Sequence, residues 1–224
     1  MQERVRATFF AEEGLPTWAL VHYLQQTEIN YIKLVTLERI ATLVQGGLDP
    51  DALVVAGESA ELYQREGLRL EPSREHLFLA RKEESAQKFW NVVSRHARPV
   101  VFVRETDSYR PLYELRGTNA LIIRNLSINS PAKVTLEGAG TALADIYYAG
   151  EREERARIQW ANEQQAQVGV NLQELARASQ IINDPATPPG IREYMQEIVR
   201  QTLARQTRLN TELEIRAPSV NARV

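Results

Sequence analysis

From Thr141 to Ile182 the chain carries no proline and is dominated by helix formers, and Asn183-Asp184-Pro185-Ala186-Thr187-Pro188-Pro189-Gly190 then stops it. Proline inside a helix removes a backbone hydrogen bond and clashes with the preceding turn, so the two sides of this stretch must be separate elements. Before it, Ile158, Ala161, Gln165, Val168, Leu172, Leu175, Ser179 and Ile182 alternate spacings of three and four, a coiled-coil register with polar interruptions at Gln165 and Ser179. After it, Ile191, Tyr194, Met195, Ile198, Thr202, Leu209 and Leu213 line a second helix. The expectation is a long helix, a proline-rich turn and a returning helix, able to pair as a hairpin. Gly150 and Gly169 are its weak points, at about 1 kcal/mol each relative to Ala.

The chain before Gly138 alternates strand and helix signals. Arg4 to Phe10 is β-compatible, and Pro16-Thr17-Trp18 opens a helix in which Trp18, Val21 and Leu24 share a face. Ile29, Ile32, Val35, Ile40 and Leu43 approximate a second amphipathic face, ended by Gly46-Gly47. Tyr31 to Leu37 also has strand composition; helix is the reading adopted. Further strands are expected at 52–56, 68–70, 76–79, 100–103, 112–115, 119–128 and 133–136, with helices at 58–66 and 82–98. Strand, helix, strand across 76–103 forms a candidate βαβ-like unit. The fold class expected is α+β: a small mixed β-sheet flanked by helices over residues 1–137, a helical hairpin and oligomerisation segment over 138–216, and a frayed tail at 217–224.

Leu121-Ile122-Ile123-Arg124-Asn125-Leu126-Ser127-Ile128-Asn129-Ser130-Pro131-Ala132-Lys133-Val134-Thr135-Leu136-Glu137-Gly138 resembles a pattern in uncharacterised bacterial proteins. There a strand ending in a Ser-Pro turn leads to another apolar strand, a Gly/Ala-rich segment and a long charged helix. The similarity covers about residues 119–182. It implies an architecture and no chemistry. Those proteins are more apolar in the Gly/Ala segment, from which Asp145, Glu151 and the following Arg/Glu run depart.

Composition removes several chemistries. With no Cys, the chain has no disulfide, thiolate nucleophile, iron–sulfur cluster or Cys-ligated zinc. His22, His76 and His96 lie far apart with no metal-ligand spacing, and there is no His-Glu-x-x-His, Gly-x-Ser-x-Gly or Walker A motif. In Gly138-Ala-Gly140 the third glycine position of a dinucleotide fingerprint is Leu143, so close backbone packing is the better account. No cofactor and no metal are expected. Lys plus Arg total 27 against 29 acidic residues, a net charge of −2, so the whole chain has no field that would draw it to nucleic acid. The mixed-sign run Glu151 to Arg157 reads as a solvated helix face. No signal-peptide pattern and no apolar run of about 20 residues are present, which fits a cytoplasmic chain.

One polar constellation follows the clearest buried strand: Arg104, Glu105, Asp107, Tyr109 and Arg110. Ligands often bind at the carboxyl ends of such strands, with Asp107 as a base and Arg104 or Arg110 as anion clamps. The competing reading is an exposed hairpin loop whose charges pair with one another. The leading expectation is a non-enzymatic, self-associating scaffold or adaptor whose partner is itself or another protein. Ile158, Val168, Leu172, Leu175 and Ile182 then act as interface or hairpin core. The alternatives are a small-molecule-binding or enzymatic domain using the 104–110 loop, and peripheral membrane association through 138–149.

Overall fold

Nine consecutive residues of one helix, Asn30 to Glu38, are buried, so that helix is enclosed on every side rather than laid on a surface. In the computed structural model this helix, α1, is continuous over Thr17–Gln45. The structure describes residues 4–11, 14–56, 76–106, 108–112, 120–127, 132–139, 142–146, 149 and 177–222. Pro16, at φ −55°, leads into α1, and Gly47, at φ 90°, takes the left-handed turn that ends it. The two amphipathic faces read from the sequence thus lie on one helix. Tyr31 to Leu37 is helical because core surrounds it on all faces, which overrides its strand-like composition.

The other elements are β1 (Arg4–Ala11), a 3₁₀ turn (Pro50–Ala52), β2 (Leu53–Ala56), β3 (His76–Phe78), α2 (Glu83–Arg95), β4 (Val101–Arg104), β5 (Tyr109–Pro111), β6 (Ile122–Ser127), β7 (Ala132–Ala139), α3 (Arg177–Ile182), α4 (Pro189–Glu212) and β8 (Arg216–Ala222). The α+β class holds. The single mixed sheet does not: among the described residues there are two four-stranded sheets, ordered β6-β7-β1-β8 and β3-β2-β4-β5, with antiparallel pairing throughout. The first sheet recruits its central strand from the start of the chain, a long-range pairing invisible to local pattern. In the second, β2 lies between β3 and β4 and is antiparallel to both, so β3-α2-β4 is a βαβ crossover split by an inserted strand.

Of the tail expected to fray over 217–224, residues 217–222 belong to the edge strand β8, which pairs with β1. Pro218 and the polar composition hide it, because edge strands tolerate both. The strand and helix readings over 57–75 and 113–119 lie outside the described residues.

One core joins the layers. Phe9 and Leu136 of the first sheet, Leu53 and Val101 of the second, α1, and Met195, Ile198, Val199 and Leu209 of α4 belong to the same apolar cluster. Gly138 explains how closely α1 approaches β7. A Cβ there would lie 2.8–2.9 Å from the Tyr31 hydroxyl and ring, so only glycine fits. The α1–α4 contact is fixed by a buried polar chain. Asn30 Nδ2 donates to Gln206 Oε1 at 3.0 Å, and Gln206 Nε2 donates to Asn210 Oδ1 at 3.0 Å and Thr27 Oγ1 at 3.3 Å. At the far end of α1, Gln45 Nε2 donates to the Ile181 carbonyl and the buried Thr187 hydroxyl, pinning the proline-rich turn.

Candidate functional site

The 104–110 segment is the β4–β5 hairpin, and its charges satisfy each other. Arg110 Nε donates to Glu105 Oε1 at 2.8 Å, Ser108 Oγ donates to Glu105 Oε2 at 3.3 Å, and the Glu105 amide donates to the Ser108 carbonyl at 2.8 Å. The bond from Arg110 holds the Glu105 carboxyl below the usual carboxylate range. Arg104 is exposed, with its guanidinium carbon 5.4 Å from the centre of the Phe78 ring. Tyr109 packs against the small apolar cluster of Val54, Phe78, Val100 and Phe102. Asp107 lies outside the described residues. The hairpin therefore brings Glu105 and Arg110 together as an exposed pair, while Arg104 and Tyr109 serve the outer face of the second sheet.

Of the helical seam, Ile158, Val168, Leu172 and Leu175 lie outside the described residues. Ile182 is fully buried in the apolar core of its own chain. In the segment offered for membrane contact, Ala142, Leu143, Ala144, Asp145, Ile146 and Ala149 are buried. Among the described residues no helix is long and apolar enough to cross a membrane.

Three charged groups that the sequence did not single out are almost fully buried. Lys33, on α1, donates from Nζ to the Ser94 carbonyl in the last turn of α2 at 2.5 Å, placing a cation at a helix C-terminus. Burial, and then the nearby Arg205 charge, lower its pKa to about 8. Glu38 has neither carboxyl oxygen hydrogen-bonded among the described residues. Burial and the neighbouring Asp145 push its pKa up to about 8, against the pull of Arg39. Lys33 and Glu38 gave no local signal, because helical spacing within an apolar run does not distinguish a buried charge from a solvated one.

The third is Glu137, whose side chain is only 2% exposed. It lies in the centre of the outer face of the first sheet, on β7. Arg124 of β6 binds it with both Nε and Nη2, at 2.8 and 2.9 Å, and Arg6 of β1 donates from Nε at 3.0 Å. The arginines remain 42% and 46% exposed, so a single carboxylate holds two half-exposed guanidinium groups across three strands. A bulge between Ile123 and Asn125 makes this possible by turning Arg124 to the Glu137 side, and it leaves Ile123 and Leu126 both opposite inward-facing partners, Leu136 and Val134. Both apolar side chains overhang the edge of the core, at 50% and 45% exposure.

Comparison with protein-family models, with curated proteins and with solved structures finds no match to this chain.

Proposed function

We propose that this chain is a non-enzymatic assembly protein that associates with copies of itself, and that the edge strand β6 is the surface it uses. The observation that carries the reading is how unevenly the four sheet edges are protected. Among the described residues β3 has three, β5 has three and ends in Pro111, and β8 contains Pro218. These are the usual ways of blunting a sheet edge. β6 has six residues and no proline, and although it carries a bulge and Arg124, it leaves the apolar Ile123 and Leu126 exposed.

Its sequence is also self-complementary. Antiparallel pairing of two β6 strands about the Arg124–Asn125 peptide sets Ile123 of one copy opposite Leu126 of the other, and Ile122 opposite Ser127. The bulge keeps Ile123 and Leu126 on one face, so such pairing would cover both apolar residues and add main-chain hydrogen bonds along β6.

The test is absolute mass by light scattering over a range of concentrations. The wild type is expected at a multiple of 25.5 kDa, and the Ile123→Lys/Leu126→Lys variant at the single-chain mass. A wild type that stays a monomer overturns the reading. If the β6 variant keeps the wild-type mass while Leu172→Asp/Leu175→Asp loses it, the helical seam is the assembling surface instead of β6.

A further inference from the structure

β3 and β4 are both antiparallel to β2, so they run parallel to each other and their carboxyl ends lie at the same end of the second sheet. Arg104 is the last residue of β4, and Arg81 lies between β3 and α2. From these two places both side chains reach one ring. The Arg81 guanidinium carbon stands 4.7 Å from the centre of Phe78, and that of Arg104 stands 5.4 Å from it. The ring itself is buried against Val54, Val100 and Phe102. Both arginines are exposed, and neither has an acidic partner or a hydrogen-bond acceptor among the described residues. The described acids beside them in sequence are engaged elsewhere: Glu105 accepts from Arg110 at 2.8 Å and Glu84 from Lys88 at 2.5 Å, while Glu83 adjoins Lys82.

We propose that Arg81 and Arg104 form a clamp for a phosphoryl group. Two guanidinium groups drawn to one ring repel each other, and an oxyanion shared by both removes that cost. Contact with the ring holds each guanidinium in place and leaves its N–H donors without a protein acceptor. Such a planar fork matches two oxygens of an oxyanion. A carboxylate has two oxygens and one charge, enough for a single fork, whereas a phosphoryl group has three terminal oxygens and close to two charges, enough for both. The location agrees, because ligands of strand-helix-strand units gather at the carboxyl ends of the parallel strands. Little of Phe78 is left open, so the charged group is what the site recognises. Arg104 thus keeps the anion-clamp role read from the sequence, with Arg81 as its partner in place of Arg110, which Glu105 occupies. The clamp is independent of association through β6, because it lies on the other sheet.

The experiment is isothermal titration calorimetry of the full chain, at low ionic strength, with glycerol phosphate and separately with inorganic phosphate. Saturable binding is expected. Tighter binding of the ester makes a small phosphomonoester the source of the phosphoryl group, and equal binding makes it the free anion. Arg81→Gln and Arg104→Gln are each expected to weaken binding about fivefold or more. Arg95→Gln, which removes an exposed charge from the other end of α2, should change it less than about twofold. Arg81→Lys/Arg104→Lys keeps both charges and loses the forks, and is expected between the wild type and the Gln variants. Circular dichroism confirms that each variant is folded. No saturable binding, binding indifferent to the Arg81 and Arg104 changes, an equal loss in Arg95→Gln, or acetate bound as tightly as phosphate overturns the proposal. So does a fall in melting temperature of the Gln variants with no phosphate bound by the wild type, which would leave the two arginines only as a cover over Phe78.

Discussion

The two sheets have the same strand number and the same antiparallel pairing, yet their outer faces are opposites. On the second sheet, Val54, Phe78, Val100 and Phe102 form a closed apolar cluster, with Arg81 and Arg104 near the Phe78 ring. On the first, Arg6, Thr8, Phe10, Lys133 and Thr135 stay part-exposed around the buried Glu137. The inner faces do the same work, packing on α1 and its neighbours. Among the described residues the second sheet is packed on both sides, whereas the first leaves polar and cationic side chains part-exposed on one face and Ile123 and Leu126 exposed at one edge.

The largest expected effect comes from making the same change on each outer face. Phe102→Ala removes a ring only 2% exposed and is expected to cost about 3–5 kcal/mol in urea unfolding. Phe10→Ala, at a part-exposed ring, is expected to cost clearly less, about 1–2 kcal/mol. Equal losses would break the comparison.

The helix between the sheets comes next, through pH. Glu38 keeps its proton to about 8 in the fold, against an ordinary value of 4.5. The folded chain therefore holds the extra proton in that interval, and this contribution to stability falls as pH rises from about 4.5 to about 8. Lys33 loses its proton near 8 in the fold but near 10.5 when unfolded, so its contribution rises from about 8 to about 10.5. Together they place a stability minimum near pH 8. Glu38→Gln should flatten the acidic limb and Lys33→Met the alkaline one, as read from melting temperature against pH. Limbs unchanged in those variants would mean the two groups titrate normally.

A smaller loss is expected where α1 meets the first sheet. Gly138→Ala drives a methyl group into the Tyr31 ring and should cost about 1–3 kcal/mol. The smallest effect tests the hairpin: Arg110→Ala breaks an exposed, solvent-screened ion pair and should leave the urea midpoint within error of the wild type.

Much of this fold was legible in local pattern. Arg4–Phe10, Val100–Val103, the helix after Lys82 and the helix after the proline-rich turn all emerge where periodicity and turn residues place them. So does the pairing of Glu105 with Arg110, because its partners are five residues apart. Long-range matters were hidden. Glu137 is an ordinary outward strand residue until Arg6, 131 residues away, is brought beside it. Asn30 meets Gln206 across 176 residues. β8 becomes a strand only because β1 offers it an edge. A net charge of −2 likewise says nothing of how folding sorts the signs, such as the gathering of Arg6 and Arg124 on Glu137.

Backbone hydrogen exchange, followed residue by residue as protein concentration is raised, tests most directly whether the first sheet is the one kept for assembly. The amides of Ile122–Ser127 are expected to slow with concentration, because β6 gains a partner strand, while those of the edges β3, β5 and β8 keep a constant rate. Exchange in β6 that is independent of concentration, in a sample whose mass is rising, would contradict the account.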